Sequence, residues 1–130
     1  MNVVDSSLWL DYFDEFVLDR HVVGIIEDSE NQYVPSICIY EVFKKMLADK
    51  GESIAQSYVA KMQMAPVVNL SPDIALVAAK LSRECKLPMA DSIIYATAKM
   101  SKSEFYTQDR HFAGLDGVRY FAKSTGGAGK

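Results

Sequence analysis

The chain has 130 residues, 49% of them hydrophobic and 24% charged, with a formal net charge of -3. That length and apolar content suit one packed domain and exclude wholesale disorder. No apolar run approaches the roughly 18 residues of a membrane span, no basic-then-apolar leader opens the sequence, and mild acidity argues against a binder driven by phosphate neutralisation. The expectation is a cytoplasmic protein.

In chain order, Asn2 to Val4 reads as a short strand closed by Asp5. Ser6 and Ser7 then offer a helix cap, and Trp9, Tyr12, Phe13 and Phe16 recur at helical spacing. A weaker helix is expected over Val22 to Asp28 and a strand over Tyr33 to Pro35. Ser36 should cap a helix reaching about Asp49, with Gly51 supplying a left-handed end. The next helix covers Glu52 to Met62, with Ala55, Tyr58, Val59 and Met62 on one side, and Pro66 to Asn69 gives a strand. Ser71, Pro72 and Asp73 make the clearest helix start, ahead of a stripe of Ile74, Val77, Ala78, Leu81 and Cys85. Pro88 breaks the chain, and Met89 to Met100 is helical again. Glu104 to Thr107 reads as a strand, Arg110 to Ala113 as a helical turn, and Val118 to Phe121 as a last strand. Residues 1–122 form one domain and the glycine-rich residues 123–130 a flexible tail. Short strands alternating with helices imply parallel pairing through crossovers, hence an α/β three-layer α/β/α sandwich.

Several chemistries lack their residues. Cys38 and Cys85 are too few for a disulfide framework and read as reduced core residues. His21 and His111 are not spaced as zinc ligands and read as exposed loop or helix-end residues, although His111 stands two after Asp109. No G-x-S-x-G elbow occurs, and Gly129–Lys130 lacks the rest of a phosphate-binding loop.

Carboxylates are more informative. Asp11, Asp14, Glu15, Asp19, Glu27, Asp28 and Glu30 fit solvated faces or turns, and Asp73 fits a helix start. Four others sit differently. Asp5 ends an apolar strand, where open α/β sheets place their ligand crevice. Glu41 lies in the first turns of a helix after a strand, Asp91 opens a helix amid apolar neighbours, and Asp109 follows a strand. If the first and the later strand are neighbours, all four converge at one sheet edge. Their mutual repulsion would raise their pKa values, and a bound divalent cation would relieve it. An all-oxygen set suits Mg2+ or Mn2+. Taken singly, Asp91 and Asp109 also make acceptable caps, and Glu41 could pair with Lys45.

Four segments resemble the PIN-domain family, specifically ribonuclease toxins of the VapC type. They are Val3–Val4–Asp5–Ser6–Ser7–Leu8–Trp9–Leu10, Ser36–Ile37–Cys38–Ile39–Tyr40–Glu41–Val42, the run from Leu87 to Ala98 through Met89–Ala90–Asp91–Ser92, and Thr107–Gln108–Asp109–Arg110–His111–Phe112. They occur in the family's order over residues 3 to 112. The resemblance implies a parallel sheet of about five strands and a metal-dependent endoribonuclease acting on RNA. It also implies a protein antitoxin as partner and a homodimer.

On this reading Asp5, Glu41, Asp91 and Asp109 are both the catalytic and the metal-binding residues. Thr107 and Ser6 would support them, each with a plain capping role as the alternative. Lys45 and Arg110 are candidates for RNA phosphates, against ordinary solvation. Tyr95 shares a face with Asp91 and fits core packing better than base stacking. Two other functions compete: a catalytically silent PIN-like domain that binds RNA or protein, and a nuclease of structured DNA or flaps.

Overall fold

A computed structural model describes residues 1–123. Apart from Lys123, the expected tail lies outside the described residues. Five strands and six helices alternate along the chain: β1 (Asn2–Val4), α1 (Ser6–Phe13), α2 (Arg20–Glu27), β2 (Val34–Pro35), α3 (Ser36–Lys50), α4 (Glu52–Met62), β3 (Val67–Val68), α5 (Pro72–Cys85), α6 (Met89–Met100), β4 (Glu104–Thr107) and β5 (Val118–Tyr120). Among the described residues, no helix is long and apolar enough to cross a membrane.

Every strand pairing is parallel, as the crossover pattern predicts. The strands do not form one continuous sheet, however. β1, β4 and β5 make a three-stranded sheet in the order β1-β4-β5, while β2 and β3 make a separate pair. A single parallel bridge, Asn2 to Gln32, joins the two. The break has a local cause: β2 ends in Pro35, which has no N–H to extend a ladder, and α3 begins at the next residue.

Successive strand residues point to opposite faces. Val3 and Val4 are both fully buried, and Phe105 and Tyr106 are buried beside them. Both faces of the central sheet are therefore covered, which is the three-layer arrangement. α2 packs on β1, α6 on β4, and α1 on α3, while α5 and α6 pack on one another.

Helix boundaries follow local chemistry, with some corrections. Asp5, not Ser6 or Ser7, caps α1: its backbone stays extended, and its Oδ1 accepts from the Ser6 N–H. α1 stops at Phe13, so Phe16 lies beyond it and is exposed. Ser36 is the first residue of α3 rather than its cap, the cap position being Pro35 with no side-chain bond. Gly51 has φ 86° and ψ 168°. That is a glycine conformation, but outside the left-handed helical well that was expected. Ser71 does cap α5, its Oγ accepting from the Ile74 N–H.

Candidate metal centre at the sheet edge

Parallel register fixes where the acidic residues meet. Val4 pairs with Tyr106, and the Asp5 N–H donates to the Tyr106 carbonyl at 2.9 Å. Asp5 and Thr107 are thus neighbours at the C-terminal edge of β1 and β4. α3 leaves the same edge after β2 and carries Glu41 in its second turn. α6 runs back to the start of β4, which puts its first turn, with Asp91, at that edge too.

Asp5 is almost fully buried. Its Oδ2 accepts from Thr107 Oγ1 at 2.7 Å and its Oδ1 from the Ser6 N–H at 2.8 Å. Ser6 Oγ donates to Glu41 Oε1 at 2.7 Å, so one residue orients two carboxylates from different elements. Thr107 is equally double: its Oγ1 accepts from the Asp109 N–H at 3.0 Å. Both residues therefore make the contacts that a supporting role requires, and Ser6 is not the helix cap.

Electrostatics tie the four acids together. Burial, reinforced by the charges of Asp91 and Glu41, pushes the Asp5 carboxyl up to about 7 against the opposing Thr107 hydrogen bond. Asp91 is raised to about 6 by its partial burial and then by Asp109 and Glu41, with His111 opposing. Behind them the buried Cys38 thiol is pushed well above its usual range by desolvation, and these acids add to the shift. That protonated core thiol is no nucleophile.

Asp109 caps the short turn Arg110–Phe112, accepting from the His111 N–H. The capping alternative raised for Asp109 is therefore real, and it coexists with membership of the cluster. Asp91 caps nothing, since the cap position of α6 is Pro88. Asp91, Asp109 and His111 each offer one ligand atom, and these atoms lie within 4.8 Å of one another. His111 Nδ1 is 3.2 Å from Asp109 Oδ1. The histidine is exposed, as its sequence position suggested, yet it faces the acids.

Lys45 pairs with Asp49 at 3.3 Å and not with Glu41. It still lines a groove of about 510 Å³ between α1 and α3, with Ser6, Ser7, Leu10, Tyr40, Glu41, Lys44 and Ala48. Arg110 is exposed beside Asp109. Tyr95 is a core residue, packed on Phe105 and Phe112, and its hydroxyl donates to the Asp116 carbonyl at 2.6 Å.

Two features escape the sequence reading. Asp11 is buried rather than solvated, accepting from Gln108 Nε2 at 2.6 Å. Its i, i+3 relation to the buried Leu8 was the available signal. Tyr40 and Lys44, at i, i+4 on the helix of Glu41, bring an aromatic ring and an ammonium group 5.7 Å apart to the groove.

The donor set fits a hard divalent cation. It consists of clustered carboxylates, two of them raised by burial and by neighbouring negative charge, which is the imbalance a cation would correct.

A family model of the PIN domain matches residues 3–118. No curated relative matches. Among solved structures, the chain is similar to a toxin–antitoxin complex from Klebsiella pneumoniae, with 25% identity, a TM-score of 0.79, and coverage of 95% of this chain and 100% of that one. The DNA-bound VapBC of Salmonella typhimurium gives 15% identity, a TM-score of 0.73, and coverage of 93% and 96%. VapC20 of Mycobacterium tuberculosis, described as a sarcin–ricin-loop-cleaving toxin, gives 15%, 0.71, and coverage of 89% and 95%.

Proposed function

Because the chain belongs to the PIN-domain family, we propose that it is a metal-dependent endoribonuclease, the toxin of a type II toxin–antitoxin pair. The observation that carries this reading is the meeting of Asp5, Glu41, Asp91 and Asp109 at one sheet edge, close enough that neighbouring charges in the set help to raise the Asp5 and Asp91 carboxyls. The similar structures, a toxin–antitoxin complex and a sarcin–ricin-loop-cleaving toxin among them, support the biological role.

Asp5, Glu41, Asp91 and Asp109 would hold Mg2+ or Mn2+. When bound, that ion supplies the water activation and charge stabilisation that in-line displacement at phosphorus needs. The chain's own part is placement. Thr107 fixes the Asp5 carboxylate and the Asp109 backbone, and Ser6 aligns Glu41. Lys45, with Lys44, lies beside Glu41 where an RNA phosphate would approach, and Arg110 is exposed next to Asp109. The protein would act in the cytoplasm as a homodimer, silenced by a cognate protein antitoxin.

The test is cleavage of a panel of structured RNAs with Mg2+, Mn2+ or EDTA, with wild type and Asp91→Asn side by side. Cleavage by wild type alone, abolished by EDTA, is expected. Equal cleavage by Asp91→Asn, or cleavage surviving EDTA, would overturn the site. No cleavage of any RNA or structured DNA, together with no Mn2+ binding, would favour a silent binding domain, which has little reason to keep a metal site. For the biological role, wild type expressed alone should arrest growth and Asp5→Asn should not.

A further inference from the structure

His111 is the one group in the cluster that is not a carboxylate. It is held there by the fold rather than by chance proximity. The turn Arg110–Phe112 is anchored by Phe112, which is fully buried and packs edge-on against Phe105 at 4.9 Å and Tyr95 at 5.8 Å. Asp109 closes the start of that turn, its Oδ1 accepting from the His111 N–H at 2.9 Å. The anchored turn fixes the backbone from which the ring at its middle position projects. The imidazole is directed back over Asp109 and towards Asp91 on α6.

The other acids are differently occupied. Both Asp5 oxygens and one Glu41 oxygen accept hydrogen bonds from Ser6 and Thr107. Around Asp91 the influences are burial and charge alone, with no hydrogen bond among them. Asp91 therefore has a carboxylate without a hydrogen bond from the chain, and Asp109 keeps its Oδ2 beside it, with the His111 ring within reach of both residues.

We infer that His111 is a ligand of the metal centre, giving it one imidazole nitrogen among carboxylate oxygens. This rests on the metal-dependent reading above. Carboxylate and water ligands suit Mg2+ and Mn2+ alike, whereas an imidazole nitrogen adds affinity along the transition series and little for Mg2+. The centre is accordingly selective for Mn2+ and Co2+ over Mg2+, a property that four carboxylates alone would not confer.

The test uses the full chain and the metal ions themselves. Pulsed electron paramagnetic resonance of the Mn2+ complex should show coupling from an imidazole nitrogen, lost in His111→Ala and retained in His21→Ala. Calorimetric titration of His111→Ala should show Co2+ affinity reduced by at least about tenfold and Mg2+ affinity by less than about threefold. Bound Mn2+ with no nitrogen coupling in wild type would overturn the inference and leave the proposed nuclease standing. Coupling that survives in His111→Ala would overturn it as well. Failure of the wild type to bind Mn2+ at all would overturn both readings.

Discussion

The acidic site has a deep half and a shallow half; burial is the leading cause that raises the carboxyl in each, and only the deep half has hydrogen bonds that oppose it. Asp5 is almost fully buried and held by Thr107 and Ser6, with Glu41 tied in through the Ser6 hydroxyl. Asp91 is only partly buried, and it is raised first by that burial and then by the charges of Asp109 and Glu41, with no hydrogen bond opposing. At Asp5 hydrogen bonds favour the charged form, yet desolvation outweighs them. Hydrogen bonding in the deep half therefore serves position more than ionisation. The shallow half has charge without comparable fixation, and a cation would complete it.

The largest effect should come from removing the deep carboxylate. Asp5→Asn is expected to lower RNA cleavage by at least about a thousandfold, while the melting temperature of the metal-free protein rises as the repulsion is relieved. A variant that cleaves normally would break the distinction between the halves.

Thr107→Val tests whether position matters apart from charge. It removes the donor to Asp5 and the acceptor for the Asp109 N–H at a site with no solvent access. Cleavage should fall about 10- to 100-fold, as for other groups that orient metal ligands. Denaturant unfolding should show a loss of about 1–3 kcal/mol.

pH dependence gives the third measure. The folded Asp5 and Asp91 carboxyls titrate at about 7 and about 6, above their ordinary value of 3.8. Between pH 4 and 7 the native state therefore binds more protons than the unfolded chain, and stability must fall as pH rises through that window. In EDTA the loss should be on the order of a few kcal/mol, read as a declining melting temperature from about pH 4 to pH 7. Asp5→Asn should flatten the decline. Saturating Mn2+ should oppose it, because metal binding displaces the same protons.

The smallest effect is expected in the groove. Lys44→Ala should raise KM a few-fold with little change in kcat, more so at low salt, because an exposed ammonium acts on a phosphate through a screened charge.

How much of this was legible in the sequence differs between elements. Helix α5 was readable almost residue by residue, since Ser71, Pro72 and Asp73 state its start in local chemistry. β1 and β4 were equally plain, their apolar runs being bounded by polar residues. The cap of α1 was misassigned because Asp5 and Ser6 are both good caps. Only the partner of each side chain across the fold, Thr107 for one and Glu41 for the other, separates them. Asp11 was misread for the same reason: an acidic residue on an amphipathic helix looks solvated until Gln108 is known to cover it.

The sequence alone determined the parallel α/β/α architecture and the identity of the unusual carboxylates. Both depend on periodicity and on what lies within a few residues. The tertiary structure alone decided that the five strands divide into three and two, that Ser6 and Thr107 each bridge two acids, and that His111 faces Asp91. These are contacts between residues up to 102 positions apart. Chain-local propensity carries no information about such pairs, because register and packing bring them together only when the whole domain has closed.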